Sequence, residues 1–343
     1  PRIVADRYVR HAPPTALAVT ITAPAPNSAV AGDSTTVTGT TAPHATVGIA
    51  VDDTDMVGAN STVAVTADAG GAFSAVVPVG FGTNVITAAA TLGGATGFAQ
   101  VSVVGDLVGG VTVLDTADPS GDDNGPGTYA YPTSSNFTAG SFDITRFQVL
   151  TKDGVVYLRT TLRTLAPTFG NPIGAQLLDV FVHTPGAAAT STAAPFPSRN
   201  YTVATQDAWS QRLEVQGFAA PAWLDAGGAA RGSVTAVVSS PITDTITVAL
   251  PQAQFGTPAA GWSFAVVLTG QDGFSSDQAR SFAPTPQDFA FGVCAPGGSA
   301  PMCSADPGTV AKAMDVITPS GVSQATELDR TLGPVVIRGV PVS

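Results

Sequence analysis

Glutamate and histidine are almost absent from this chain of 343 residues. Glu214 and Glu327 are its only glutamates, and His11, His44 and His183 its only histidines. The shortage bears on catalysis. A glycosidase sets two carboxyl groups across one cleft, and neither glutamate has a recognisable partner. Glu214 alternates with Leu213 and Val215, on the polar side of a strand, and Glu327 lies in a turn-like segment. Aspartates could substitute, but they form no recognisable acid–base pair. Apart from one loop, the carboxylates read as solvated surface groups. A histidine general base is poorly supported. No G-x-S-x-G nucleophile turn, phosphate loop or dinucleotide fingerprint occurs.

Charge is also scarce. Only 11% of residues are charged, and acidic ones outnumber basic ones 25 to 14, for a net charge of −11. That balance disfavours nucleic acid and anionic lipid, which both need a basic face. It is compatible with a secreted protein that handles neutral sugars. No run of 18 apolar residues exists, so no transmembrane helix is expected; the mean hydropathy of +0.26 comes from alanine and glycine. Two cysteines, Cys294 and Cys303, flank a turn-rich loop. They read as a disulfide of an oxidising compartment or as two free thiols, and no histidine stands at zinc-ligand spacing. The chain opens at Pro1 without Met or a signal peptide, as a processed, cut or truncated start would. Residues 1–14, with four charges within Arg2–Arg10, read as a linker, a disordered arm or the tail of a preceding domain.

What the chain does have is short β-rich runs between turn residues, with Gly and Pro numbering 37 and 27. No long amphipathic helix pattern is present, so the fold class is all-β. Residues 15–105 hold seven such runs, which predict an immunoglobulin-like sandwich. Residues 106–343 hold about nine. Val156, Leu158, Thr160 and Leu162 alternate with Tyr157, Arg159, Thr161 and Arg163, a period of two with one apolar face. The preceding Lys152-Asp-Gly154 predicts a hairpin turn, and Leu177–Val182 predicts a central strand buried on both faces. Pro334–Val342 predicts a last strand, and Thr309–Val316 a helical turn or two.

The densest motif is Asp118-Pro-Ser-Gly-Asp-Asp-Asn-Gly-Pro-Gly-Thr-Tyr-Ala-Tyr-Pro132. Its glycines and prolines force tight turns, so its carboxylates and carbonyls can converge on one point, as a hard cation such as Ca²⁺ requires. Asp118, Asp122 and Asp123 are the expected ligands, completed by backbone carbonyls and by Asp115 or Asn124. A plain stiff turn is the alternative. Sugar sites use aromatic platforms with polar side chains beside them. Trp262 and Trp209 share parity with apolar strand residues and are expected in the core. Trp223 lies in a predicted loop, either exposed or plugging one end of the sandwich. With Tyr129 and Tyr131 beside the acidic loop and Tyr201 in another loop, it completes the candidate carbohydrate-binding set.

The same motif resembles the opening signature of the C-terminal module of bacterial glucodextranases, a module that some amylopullulanases also carry. Further segments follow in the family's order: Gly140-Ser-Phe-Asp-Ile-Thr145, Asn171-Pro-Ile-Gly174, Gln176–Gly186, Trp209 and Gly270-Gln-Asp-Gly-Phe274. The chain departs from the pattern at Gly174-Ala-Gln176, where a longer aromatic segment is usual. Residues 15–105 are similar to the B domain of glucodextranase. The resemblance implies the C-terminal region of a family 15 glycoside hydrolase: a spacer followed by a sandwich like the family-nine carbohydrate-binding modules. It implies α-glucan or cell-wall polysaccharide as partner, a catalytic domain preceding Pro1, and a secreted or cell-surface location. Because that module has also been likened to S-layer anchoring domains, surface attachment is the alternative function.

Overall fold

A computed structural model describes residues 16–54 and 60–343; the expected arm or linker of residues 1–14 lies outside them. The chain divides into two compact units between Val108 and Gly109.

The first unit is a two-sheet sandwich. Thr20–Ala23, Ser34–Thr40 and Ala72–Pro78 make one sheet. The other runs in the order Ser28–Val30, Ala95–Gly105, Gly82–Leu92, Thr46–Asp53, Ser61–Thr66. Alternation builds the core. Thr46–Asp53 buries every second residue, so Val47, Ile49 and Val51 meet Val37, Phe73 and Val77 from the facing sheet.

The second unit is a larger sandwich. One sheet has the order Ala236–Ser240, Thr245–Pro251, Val155–Leu162, Ile144–Lys152, Val111–Ala117. The hairpin at Lys152 forms with Asp153 and Gly154 both at positive φ, 50° and 78°, the backbone of a type I′ turn. The other sheet runs Ala222–Asp225, Gln211–Gln216, Gln176–His183, Ser263–Gly270, and the last of these also pairs Asp315–Val316 and Val340–Pro341. Phe147, Val149, Leu158 and Val248 face Leu178, Val180, Leu213 and Phe264 across the core. Gln176–His183 is buried on its other face too. There Phe181 packs with Tyr201, Trp209 and Val267 under a layer of connecting segments, which is why the strand reads as an unbroken apolar run.

Three expectations change. Thr309–Val316 is not helical; it ends in the two-residue strand Asp315–Val316, because its backbone groups pair with the Ser263–Gly270 strand instead of with one another. Pro334–Val342 is not one strand but two short ones, Val336–Ile337 and Val340–Pro341, that join different sheets. Trp209 is buried, but on the far face from Leu213 and Val215. It lies before the Gln211–Gln216 strand begins and bridges to Ser191 instead, so strand parity does not reach it. No helix among the described residues is long and apolar enough to cross a membrane.

Candidate functional site

The loop from Asp118 to Tyr131 is held at four points. Its start donates from the Asp118 N–H to the Thr145 carbonyl at 3.0 Å, and its middle from the Gly125 N–H to the Met314 carbonyl at 2.9 Å. Its end is fixed by the Tyr129 hydroxyl, which donates to the Ala311 carbonyl at 3.0 Å. The Gln324 amide donates to the Asp122 carbonyl. Gly125 sits at φ 58°, and a Cβ there would come within 2.2 Å of the Tyr129 ring. Only glycine permits this approach.

These anchors bring carboxylates together. One oxygen each of Asp118, Asp122 and Asp315 lie within 4.8 Å of one another. Asp143 stands beside them, fully buried, its Oδ2 accepting the Gly121 N–H at 2.7 Å. Asp315 is fully buried as well, with Oδ2 accepting from Ile144 N–H at 2.6 Å and Oδ1 from Val316 N–H at 2.8 Å. Oδ2 of Asp118, Oδ1 of Asp122 and Oδ1 of Asp143 are buried without a hydrogen-bond partner. Burial, then the neighbouring charges of Asp122 and Asp143, pushes the Asp118 carboxyl up to about 8. Burial chiefly pushes Asp122 up to about 6, and Asp315 well above the usual range. Orphaned acceptors in a crowd of like charges are the donor set a hard dication neutralises, so the residues present fit calcium.

The carboxylate cluster has other members than the motif alone offers. Asp123 turns away and accepts the Tyr131 hydroxyl. Asp115 sits in the Val111–Ala117 strand and pairs with Arg146, whose Nε donates at 2.7 Å; that bond holds its carboxyl below the usual range. Asn124 contributes its carbonyl to the turn, accepting from Gly127 and Tyr129 N–H at 3.0 and 2.9 Å. Asp315, far from the motif in sequence, joins Asp118 and Asp122, and Asp143 stands beside them. An aspartate inside the apolar run Ala313-Met-Asp-Val-Ile317 is the signal that could have found Asp315, since a buried carboxylate requires a partner.

Residues 113–333 match the family profile described as the C-terminal binding module, S-layer-homology-like, of glucodextranase. The chain belongs to this family. No curated protein matches it. Solved structures show only distant likenesses. An engineered protein is 25% identical over 28% of this chain and 21% of its own, with a TM-score of 0.23. Escherichia coli alpha-2-macroglobulin activated by porcine elastase is 10% identical over 79% of this chain and 21% of its own, at 0.24. A tetra-tandem repeat from the extending region of a large adhesion protein is 15% identical over 76% and 71%, at 0.22. Scores this low carry no argument about fold or function.

In this glucodextranase-type module three of the candidate sugar-facing rings are packed inside and the fourth, Tyr131, is half-buried. Trp223 is only 2% exposed and lies in the Ala222–Asp225 strand, not a loop, with Nε1 donating to Gln211 Oε1 at 2.9 Å. Tyr129 is buried against Phe282. Tyr131 packs edge-on to Phe142 and spends its hydroxyl on Asp123 and the Phe142 N–H. Tyr201 is buried, with its hydroxyl 3.4 Å from Asp179. None offers a free platform. The glutamates are not solvated either. Glu214 lies 3.5 Å from both Arg199 and Arg212, and Glu327 pairs with Arg338 at 3.1 Å. Cys294 and Cys303 are joined in a disulfide.

Proposed function

We infer that residues 109–343 are a non-catalytic carbohydrate-binding module of a secreted glucodextranase-like α-glucan hydrolase, and that the preceding sandwich spaces and orients its neighbours. The observation that carries this is the position of the acidic cluster. In a family of binding modules, its Asp315 accepts the Ile144 and Val316 N–H groups inside the sandwich, and its Asp143 accepts the Gly121 N–H of the 118–131 loop. That is the place of a structural strut, not of a hydrolytic centre, which needs substrate between its carboxyls.

A structural Ca²⁺ fits this reading, held by Asp118, Asp122 and Asp315 with Asp143 adjacent. It would supply the positive charge that the orphaned oxygens lack. A second reading, attachment to the cell surface, draws on the S-layer-homology likeness in the family description. Retention of the full chain on immobilised dextran and starch, measured beside retention on purified cell wall, separates the two. Binding to soluble glucan supports the first, and binding to wall alone supports the second. Glucan hydrolysis by this chain above a blank would overturn the non-catalytic reading.

A further inference from the structure

Of the rings the sequence offered for sugar, Trp223, Tyr129 and Tyr201 are buried and Tyr131 is half-buried, yet rings are exposed elsewhere in the larger unit. Five phenylalanines are exposed among the described residues, and four of them, Phe169, Phe218, Phe274 and Phe289, line one open cleft of about 1030 Å³. The fifth, Phe98, belongs to the other unit. Concentrating exposed apolar rings in one concavity runs against the hydrophobic effect unless something covers them.

The cleft is built, not incidental. Phe274 is 84% exposed at the tip of a turn that Asp272 fixes, its Oδ1 accepting the N–H groups of Phe274 and Ser275 at 3.0 Å each. Phe169 holds a left-handed backbone, φ 54°, a conformation a bulky L-residue adopts only under constraint. Phe137, buried beneath, contacts Phe169 and Phe289 at 6.0 and 6.3 Å between ring centres and so links the two walls.

The polar lining is rich in acceptors. Gln271 is 1% exposed, and its Oε1 has no hydrogen-bond partner. Asp272 and Asp288 add two carboxylates, and Asp288 Oδ1 accepts the Thr133 hydroxyl at 2.8 Å. The one cation of the lining, Arg280, is turned to the protein: it donates to the carbonyls of Phe289 and Gln271 at 2.8 and 2.7 Å and lies 4.7 Å over the Phe137 ring. The lining therefore carries a net charge of −1, from two aspartates against one arginine. It asks for a ligand with apolar C–H faces and many hydroxyl donors and without negative charge.

We propose that the Phe169–Phe218–Phe274–Phe289 cleft is the polysaccharide site of this module, that its ligand is a neutral glycan, and that Gln271, Asp272 and Asp288 accept the glycan's hydroxyls. This rests on the carbohydrate-binding reading above and adds the place and the charge class. The rings cover C–H faces while the acceptors sort hydroxyl-bearing rings from acidic ones. A uronate or phosphate-bearing chain meets two carboxylates and no free cation.

The test is calorimetric titration of the full chain with dextran, soluble starch and polygalacturonate at low and high salt. Phe274→Ala should weaken neutral-glucan binding about tenfold, as loss of one anchoring aromatic does, and Phe274→Ala with Phe289→Ala should abolish it. The melting temperature should hold, because both side chains are exposed. Phe98→Ala should change nothing. Binding should be insensitive to salt, and polygalacturonate should not bind. If the wild type binds glucan and the double variant binds equally well, the cleft is overturned while the module reading stands. If only polygalacturonate binds, with steep salt dependence, the assigned charge class is wrong. If no polysaccharide binds, purified cell wall included, the cleft and the module reading fall together.

Discussion

The two units bury sandwich cores of the same kind but treat charge in opposite ways. Up to Val108 the core is aliphatic around Phe73, and the buried polar side chains among the described residues are Asp53 and Asn84. The Asn84 amide serves only its own turn, through the Gly80 and Gly82 carbonyls. From Gly109 onward the far face of one sheet holds an ionic network. Arg199, fully buried, donates to Asp179 at 2.7 Å and lies 3.5 Å from Glu214; Arg212 approaches both acids, and Lys312 pairs with Asp277 at 2.8 Å. The difference follows from connections. Short turns join the strands of the first unit, whereas the second must cover a whole sheet face with irregular chain, whose backbone groups need polar partners.

All three tryptophans lie in the larger unit, so their emission reports it alone. The largest effect should come from its core. Trp223→Ala should cost about 3–5 kcal/mol, towards the upper end because Gln211 Oε1 loses its donor. The emission transition should shift down strongly, while Phe73→Ala, the matching deletion in the first unit, should leave it in place. A Trp223→Ala protein that melts normally would return Trp223 to an exposed loop. Next comes the ionic layer. Arg199→Met takes from Asp179 its 2.7 Å partner and leaves Arg212 alone to face both acids, at a cost of roughly 3 kcal/mol. Removing the partner as well, Arg199→Met with Asp179→Leu, should recover much of that loss, since an apolar pair needs no compensating charge. If the double variant is worse than the single, the network supports the fold beyond simple pairing.

The strands were the legible part. Period-two alternation in Val156–Leu162 and the unbroken run Leu177–Val182 state their own burial, because side chains alternate strictly along a strand. The sites were less legible, for a definite reason. The acidic motif announces two of the cluster's carboxylates, Asp118 and Asp122, but Asp143 reaches the same point from just before the Ile144–Lys152 strand and Asp315 from a two-residue strand, and only topology brings them there. Trp223 reads as a loop residue because a Pro-, Ala- and Gly-rich segment hides a four-residue edge strand, and edge pairing leaves little periodicity to read. The exposed phenylalanines were missed because Phe carries no polar handle and is ordinarily core. Phe274 stood inside Gly270-Gln-Asp-Gly-Phe274, a segment noted only for its resemblance.

The smallest expected effect sharpens the contrast most, because it should touch one unit and be tunable by pH. Consider the cluster without an added cation. A carboxyl whose folded value lies above its unfolded one stabilises the fold while protonated, and that contribution is lost as pH rises through the folded value. Asp122 and Asp118, pushed up to about 6 and about 8, should therefore make the larger unit less stable between pH 5 and 8 in a chelator. Calcium acts in the opposite sense, since it requires the ionised carboxylates. Extracellular modules bind it with a Kd of about 10⁻⁴–10⁻³ M, so at comparable free calcium the gain is on the order of 0.5–1.5 kcal/mol. The rise in the tryptophan-detected melting temperature should be modest, and larger at pH 8 than at pH 5. Asp122→Asn with Asp315→Asn should remove both the calcium response and much of the pH slope, because both carboxyls lose their charge; the amide at 315 keeps one of the two backbone N–H groups that Asp315 accepts. Asp123→Asn alone should keep the response, since that carboxylate serves the Tyr131 hydroxyl. A calcium response that survives in the Asp122/Asp315 variant would place the ion elsewhere, and no response in the wild type at either pH would leave the cluster as a proton-sharing strut between the loop and the sandwich.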